Sequence, residues 1–255
     1  MQAAYKTHIG CVRAFNEDTG AVVNLHNGYI VAIVADGMGG HQAGDVASLM
    51  AVDIVKMELQ ELPDRLTPDD AIDRLDRAIL LANDAVYNYS KSHDDCHGMG
   101  TTVAACIVSK EWLVIGHIGD SRIYRVSNEE ITQLTNDHSL VNELLRNGQI
   151  TAEEAVNHPQ KNILIRALGT DHNVEVELKA MEWEAGDQLL LCSDGLSNKV
   201  SADDMAYTMQ NAATIEDAVD NLIEKALQAG GEDNITAIIV AGPDSPPPRG
   251  SEVTE

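Results

Sequence analysis

A chain of 255 residues with 44% apolar content is long enough to bury one large core or two small ones. Its 41 acidic against 17 basic side chains leave a formal charge of −24, which argues against electrostatic binding to nucleic acid or to an anionic membrane, because both require a basic face. The same acid excess permits several carboxylates at one site, a grouping whose self-repulsion makes sense only where divalent cations neutralise it.

Cys11, Cys96, Cys106 and Cys192 are widely spaced and form no C-x-x-C pair, so they read as reduced, mostly buried thiols rather than zinc ligands. No charged segment followed by an apolar run opens the chain, and no apolar stretch approaches the roughly 20 residues that cross a bilayer. The expectation is a soluble, unexported, cytoplasmic protein.

Residues 3–12 have strand-like content and lead into Arg13-Ala14-Phe15-Asn16-Glu17-Asp18, a cluster that reads equally as a polar hairpin turn or as part of a site. Asn27-Gly28 signals a tight turn ahead of a strand over 29–34. Residues 30–34 are apolar and mostly β-branched, as suits a strand covered on both faces. The strand is expected to stop at Asp36, where Gly37-Met38-Gly39-Gly40-His41 follows and glycines permit turns and close backbone approach. Val46, Met50, Ile54 and Met57 then recur at helical spacing, which completes a unit of strand, glycine turn and helix. Alone, Asp36 would open a turn or cap that helix.

The first helix is expected over 44–62. A second begins at Thr67-Pro68-Asp69-Asp70, where Thr67 can cap, Pro68 suits the first helical position and the acids favour the positive end of the dipole. Ala71, Leu75, Ala78, Ala82, Val86 and Tyr89 line one of its faces as a core-packing stripe, and Gly98-Met99-Gly100 breaks it. Strands follow over 101–108, 112–118, 121–126 and 131–134, joined by connections too short for crossover helices and therefore antiparallel. Between two of them lies Gly119-Asp120-Ser121-Arg122, by itself an ordinary turn.

Residues 137–169 loosen into short amphipathic pieces, helical over 139–147 and 152–157, and read as an inserted flap. Its basic residues His138, His158 and Arg166 offer contacts to a phosphopeptide, but a lone histidine on a flap is more often solvated, and none is assigned a catalytic role. Strands resume over 174–178 and 188–192, the latter ending in Ser193-Asp194-Gly195, the same device as Asp36-Gly37. Helices over 202–212 and 215–229 lead to Gly230-Gly231-Glu232-Asp233-Asn234 and a last strand over 235–240. From Pro243 the composition is that of a disordered tail. The chain thus reads as one α+β domain over 1–242, with a sheet core and outer helices, and a tail over 243–255.

Glu17-Asp18, Asp36, Asp120, Asp194 and Asp233 are either independent turn acids or a cage of oxygens at neighbouring strand ends, which Mg²⁺ or Mn²⁺ prefers. Two such ions about 3.5–4 Å apart can activate a water and stabilise an in-line displacement at phosphorus. Arg13 offers a bidentate fork for a phosphate.

The segments Arg13-x-x-Asn16-Glu17-Asp18, Asp36-Gly37-Met38-Gly39-Gly40-His41, Gly98-x-Gly100-Thr101-Thr102, Gly119-Asp120-Ser121-Arg122, Ser193-Asp194-Gly195-Leu196 and Asp233-Asn234-Ile235-Thr236 resemble, in that order, the type 2C (PPM) metal-dependent serine/threonine protein phosphatases of the compact bacterial branch. Each motif is weak alone, but six in sequence across nearly the whole chain are specific. The resemblance implies a four-layer α-β-β-α sandwich: two central, mostly antiparallel sheets flanked by helices, with a flap insertion. It implies a site for two Mn²⁺ or Mg²⁺ ions. Asp36 would bridge both, the Gly37 carbonyl would bind one, Asp194 and Asp233 the other, and Glu17 or Asp18 would act partly through water. Asp120 with Asp194 would hold a third, weaker ion, and Arg13 would hold the substrate phosphate.

The same resemblance implies direct attack on phosphorus by a metal-bridging hydroxide, without a phosphoenzyme, on phosphoserine and phosphothreonine of proteins. The expected partners are phosphorylated proteins and an opposing Ser/Thr kinase, with the chain itself a monomer. One position departs from the wider family. Animal and plant members carry histidine directly after the Asp-Gly, proposed there as general acid, whereas here that place is Met38 and the nearest histidine is His41. His41 is therefore a candidate acid, set against a helix-capping or ligand-orienting role and against a metal-bound water as proton source. A non-catalytic metal- or phosphate-sensing module on the same scaffold would lack metal ligands, and none is lacking. A nucleotide-binding phosphate loop would need the Lys-Ser/Thr that does not follow these glycines.

Overall fold

The computed structural model describes residues 1–39, 43–127, 130–184 and 186–242. The chain opens with strands β1 (Gln2–His8), β2 (Asp18–Asn24) and β3 (Ile30–Met38), then helices α1 (Ala43–Leu59) and α2 (Pro68–Ser92). Strands β4 (Gly100–Thr101), β5 (Val103–Val108), β6 (Trp112–Ile118), β7 (Arg122–Ser127) and β8 (Glu130–Gln133) come next, followed by the short flap helices α3 (Leu140–Arg146) and α4 (Ala152–Val156). Strands β9 (Glu177–Glu182) and β10 (Gln188–Cys192), helices α5 (Asp194–Ser197), α6 (Ala202–Asn211) and α7 (Ile215–Gln228), and strand β11 (Ile235–Ala241) complete the fold. One sheet runs β1-β11-β10-β7-β8 and the other β2-β3-β5-β6-β9, with β4 added to β3. Every pairing is antiparallel.

Successive side chains of a strand point to opposite faces, and β3 uses both. Val31, Ile33 and Ala35 pack with Ala47 and Ala51 of α1 and Leu75 and Ile79 of α2, while Ile30, Ala32 and Val34 meet Leu189, Leu191, Ile238 and Val240 of the other sheet. On the far side, Leu190, Cys192 and Ile239 pack with Met205 and Met209 of α6 and Leu222 and Ile223 of α7. A strand covered on both faces must be apolar throughout, which is why these strands show no polar alternation. The layers are α-β-β-α, as the sequence resemblance implied.

Four local differences from the sequence expectations have physical causes. Strand β3 does not stop at Asp36, because Gly37 and Met38 pair with Thr101 and Gly100 of β4. Residues 18–24 carry an apolar run of only three residues, 21–23, yet the whole stretch forms β2 through pairing with β3. The strand expected over 174–178 lies later, as β9, where β6 supplies its partners. The buried stripe of α1 is Ala47, Ala51 and Val55 rather than the longer residues beside it, and Met57 is 64% exposed, since small side chains let the helix approach the sheet closely.

The caps of α2 are as expected: Thr67 accepts from the Asp70 N–H, and Pro68 opens the helix. All four cysteines are free, with Cys106 and Cys192 buried but Cys11 exposed. Among the described residues no helix is long and apolar enough to cross a membrane. The tail over 243–255 and His41 lie outside the described residues.

Candidate metal centre

The β2–β3 register places Asp18 opposite Asp36. The Gly37 N–H donates to the Glu17 carbonyl at 3.1 Å, so the residue before β2 is held against the end of β3. From the other sheet, adjacent strands β10 and β11 bring Asp194, the first residue of α5, and Asp233, two residues ahead of β11. Asp120 arrives on the turn between β6 and β7. Arg13, Glu17, Asp36, Gly37, Asp120, Asp194 and Asp233 line one cleft of about 260 Å³, and Asp18 is buried behind it, 6% exposed. Both sheets therefore deliver carboxylates to the same end of the sandwich.

Close backbone approach makes this possible. A Cβ at Gly37 would lie 2.0 Å from the Gly44 carbonyl oxygen, and one at Gly44 would lie 2.4 Å from Glu17 Oε1. Glycine at both positions lets the start of α1 rest on Glu17.

The acids disfavour one another's charge. Burial pushes the Asp18 carboxyl up to about 7, aided by Asp194 and Asp233 and opposed by hydrogen bonds from Ser193 and Thr236. Desolvation, then Asp18, Asp194, Asp120 and Asp233, hold Asp36 well above the ordinary carboxylate range. Asp120 also rises to about 7 through burial and the nearby Asp194 and Asp137, against the pull of Arg122. Asp194 is raised by burial and by Asp233, against the pull of Arg122 and Arg13. Glu17 is raised mainly by burial.

Three buried carboxylate oxygens, Glu17 Oε1, Asp18 Oδ1 and Asp194 Oδ1, have no hydrogen-bond donor. Leaving such atoms bare is costly, and a cation among them removes both the orphaning and the repulsion. The donors in the cleft are oxygens, with no His or Cys among the described lining residues, which suits Mg²⁺ or Mn²⁺ better than zinc. Arg13 closes one side with its guanidinium 2.7 Å from Asp233 Oδ2.

Several residues that hold the site carried no role in the sequence reading. Asn234 accepts the Glu17 N–H at 2.8 Å and donates to the Ile9 and Phe15 carbonyls, each at 2.9 Å, so one amide ties the Arg13 loop to β11. Thr102 Oγ1 accepts the Asp36 N–H at 2.9 Å and bonds Ser121 Oγ at 2.6 Å. Ser193 donates to Asp18 at 2.7 Å. The signal was available, because each stands inside one of the six motifs, and Asn234, Ser193 and Ser121 adjoin an acid. Asn162 of the flap also lines the cleft, and nothing in the sequence marked it. His138 is not solvated: its side chain is 11% exposed.

Residues 8–231 match the family model for protein phosphatase 2C. The chain is 45% identical over 240 residues to the serine/threonine phosphatase stp of Listeria monocytogenes, a match covering 94% of this chain and 95% of that protein. The fold superposes on the serine/threonine phosphatase of S. agalactiae with a TM-score of 0.89 at 38% identity, covering 94% of this chain and 99% of that one. It also superposes on the catalytic domain of the phosphatase PstP, solved in complex with two manganese ions, with a TM-score of 0.83 at 36% identity over 93% of this chain and 96% of that one. The chain belongs to the protein phosphatase 2C family and is a metal-dependent protein phosphatase.

Proposed function

We propose that this protein hydrolyses phosphoserine and phosphothreonine on proteins, with two Mn²⁺ or Mg²⁺ ions held in the acidic cleft. The observation that carries the reading is the convergence of carboxylates from both sheets, three of them with orphaned buried oxygens, around a cleft that Arg13 borders. Asp36 and the Gly37 carbonyl beside it would hold the two ions. Asp194 and Asp233 would serve one ion, Glu17 or Asp18 would act partly through water, and Asp120 with Asp194 would take a third, weaker ion.

Bound there, the ions supply Lewis-acid charge that acidifies a water and neutralises phosphate oxygens. Arg13, partly exposed at the cleft, orients the phosphate through its planar fork. Asn234 and Thr102 keep Glu17 and Asp36 in place before substrate arrives, so little reorganisation is left for the reaction. His41 is the candidate proton donor to the leaving serine or threonine oxygen. The partners are phosphorylated proteins and the Ser/Thr kinase that this activity opposes, with the protein a cytoplasmic monomer.

Purified protein is expected to hydrolyse p-nitrophenyl phosphate and phosphothreonine peptides only with Mn²⁺ or Mg²⁺, and Asp194→Asn to abolish both. Hydrolysis that survives chelation and this substitution would sink the mechanism. His41→Ala should cost far more on alkyl phosphoserine than on the activated aryl ester. Equal losses on both would remove His41 as the acid.

A further inference from the structure

Outside the carboxylate cleft, His117, His138 and Glu177 bring ligand atoms within 4.8 Å of one another. Their residue types would suit zinc, but the hydrogen bonding favours protons. The Gly119 N–H donates to His138 Nδ1 at 3.1 Å. A neutral ring then carries its proton on Nε2, the nitrogen that faces Glu177 Oε2 at 3.7 Å and that an ion would need bare. Lys179 Nζ stands 2.7 Å from Glu177 Oε1 and Arg166 Nη1 3.5 Å from His138 Nε2, so two cations already crowd the place an ion would take.

What the cluster holds is Gly119. Its N–H goes to the His138 ring, and its carbonyl accepts the His138 backbone N–H at 2.7 Å. Gly119 has a φ of +108°, a conformation that side-chain-bearing residues rarely adopt, and the next residue is Asp120 in the cleft. Glu177 is itself fixed: it faces His117 Nδ1 at 3.4 Å and accepts from Asn136 Nδ2 at 2.8 Å.

The geometry points to His138 as a positioning residue for Asp120: it clamps the Gly119 turn at both amide and carbonyl, its Nδ1 accepting the Gly119 N–H and its ring proton left on Nε2. This rests on the reading of Asp120 and Asp194 as a third, weaker ion site, and it adds a residue that acts through the backbone rather than on the ion. Groups that orient metal ligands typically change affinity by about 10–100-fold when removed.

The test is Mn²⁺ titration calorimetry on the full chain, comparing the unsubstituted protein with His138→Gln and His138→Asn. Asparagine sets an amide oxygen near the place of Nδ1, whereas glutamine carries its polar atoms out to that of Nε2. His138→Gln is expected to weaken the weakest Mn²⁺ event about tenfold and leave the tighter events unchanged, and His138→Asn to restore it. Identical isotherms for all three proteins, or equal weakening of every event, overturn the clamp. So does zinc that the unsubstituted protein retains and His138→Gln loses. Two tight events without a weaker third overturn this inference alone, and no Mn²⁺ binding at all overturns the phosphatase reading with it. Should neither variant fold, ¹⁵N NMR of the unsubstituted protein decides: a proton on Nε2 of His138 is expected, and one on Nδ1 refutes the clamp.

Discussion

The two ends of β3 follow opposite rules. From Ile30 to Ala35 every side chain is at most 3% exposed and apolar, packed alternately against α1 and α2 and against the facing sheet. One residue later stands Asp36, a carboxyl raised by desolvation and by four neighbouring aspartates. The interior stabilises the fold, and the cleft spends part of that stability on charges that repel. Strain of this kind is tolerable because the surrounding core over-determines the backbone, and it is useful because a cation relieves it.

The contrast can be broken most severely at Asp36. Asp36→Asn is expected to reduce metal-dependent turnover to background, yet to raise the melting temperature in chelator, because it removes one of the mutually repelling carboxylates. Mn²⁺ should then stabilise this variant less than the unsubstituted protein. A lowered melting temperature in chelator would show that the acids are not a burden on the fold.

The converse change lies three residues earlier. Ile33 is fully buried, and Ile33→Ala should cost about 2–5 kcal/mol by transfer and cavity terms, measured by urea unfolding, while the Mn²⁺ requirement stays the same. A large shift in metal affinity with little loss of stability would mean that core and cleft are not separable.

Titration sharpens the same comparison. Asp18 and Asp120 sit near 7 in the folded protein, above the ordinary value of about 4. The folded state therefore holds more protons than the unfolded chain between those values, and the stability they contribute is lost as pH rises through about 7. His138 has the opposite sign. Burial, then His117 and Arg166, lower it to about 4, so protonation of the unfolded chain destabilises the fold as pH drops below about 6.5. Several raised acids outweigh one lowered histidine. The melting temperature in chelator should fall by several degrees between about pH 5 and pH 8, and Mn²⁺ should stabilise most at the upper end, because binding must displace those protons. A flat profile in scanning fluorimetry would show that the carboxyls ionise independently.

The smallest expected effect is at the border of the cleft. Arg13 is about half exposed and paired with Asp233, so Arg13→Ala should raise KM for a phosphopeptide by about tenfold, roughly 1.4 kcal/mol, without a comparable fall in kcat. A large loss of kcat with KM unchanged would move Arg13 from binding to transition-state stabilisation.

Local chemistry was legible wherever it sufficed to define structure. The apolar runs of β5, β6, β10 and β11, the Thr67 cap and the Ala71 to Val86 stripe of α2 all follow from periodicity and propensity. Strand β2, the extension of β3 through Gly37 and the displaced β9 do not, because each exists through the partner strand it pairs with rather than through its own composition. The acids were visible as residues next to glycines at strand ends, and the order of their motifs pointed to the family. Asn162 and the burial of His138 were not visible, because flap residues reveal nothing about what they fold against.

By itself, then, the sequence determined the apolar runs of the central strands, where the longer helices begin and which carboxylates were available to a cation. The tertiary structure decided that acids from position 17 to position 233 share one cleft, that Asp18 faces Asp36, and that His138 reaches back to Gly119. The physical reason is range. Propensity and capping act over a few residues, whereas repulsion among desolvated carboxylates depends on pairing and sheet-on-sheet packing between segments that only the completed fold brings together.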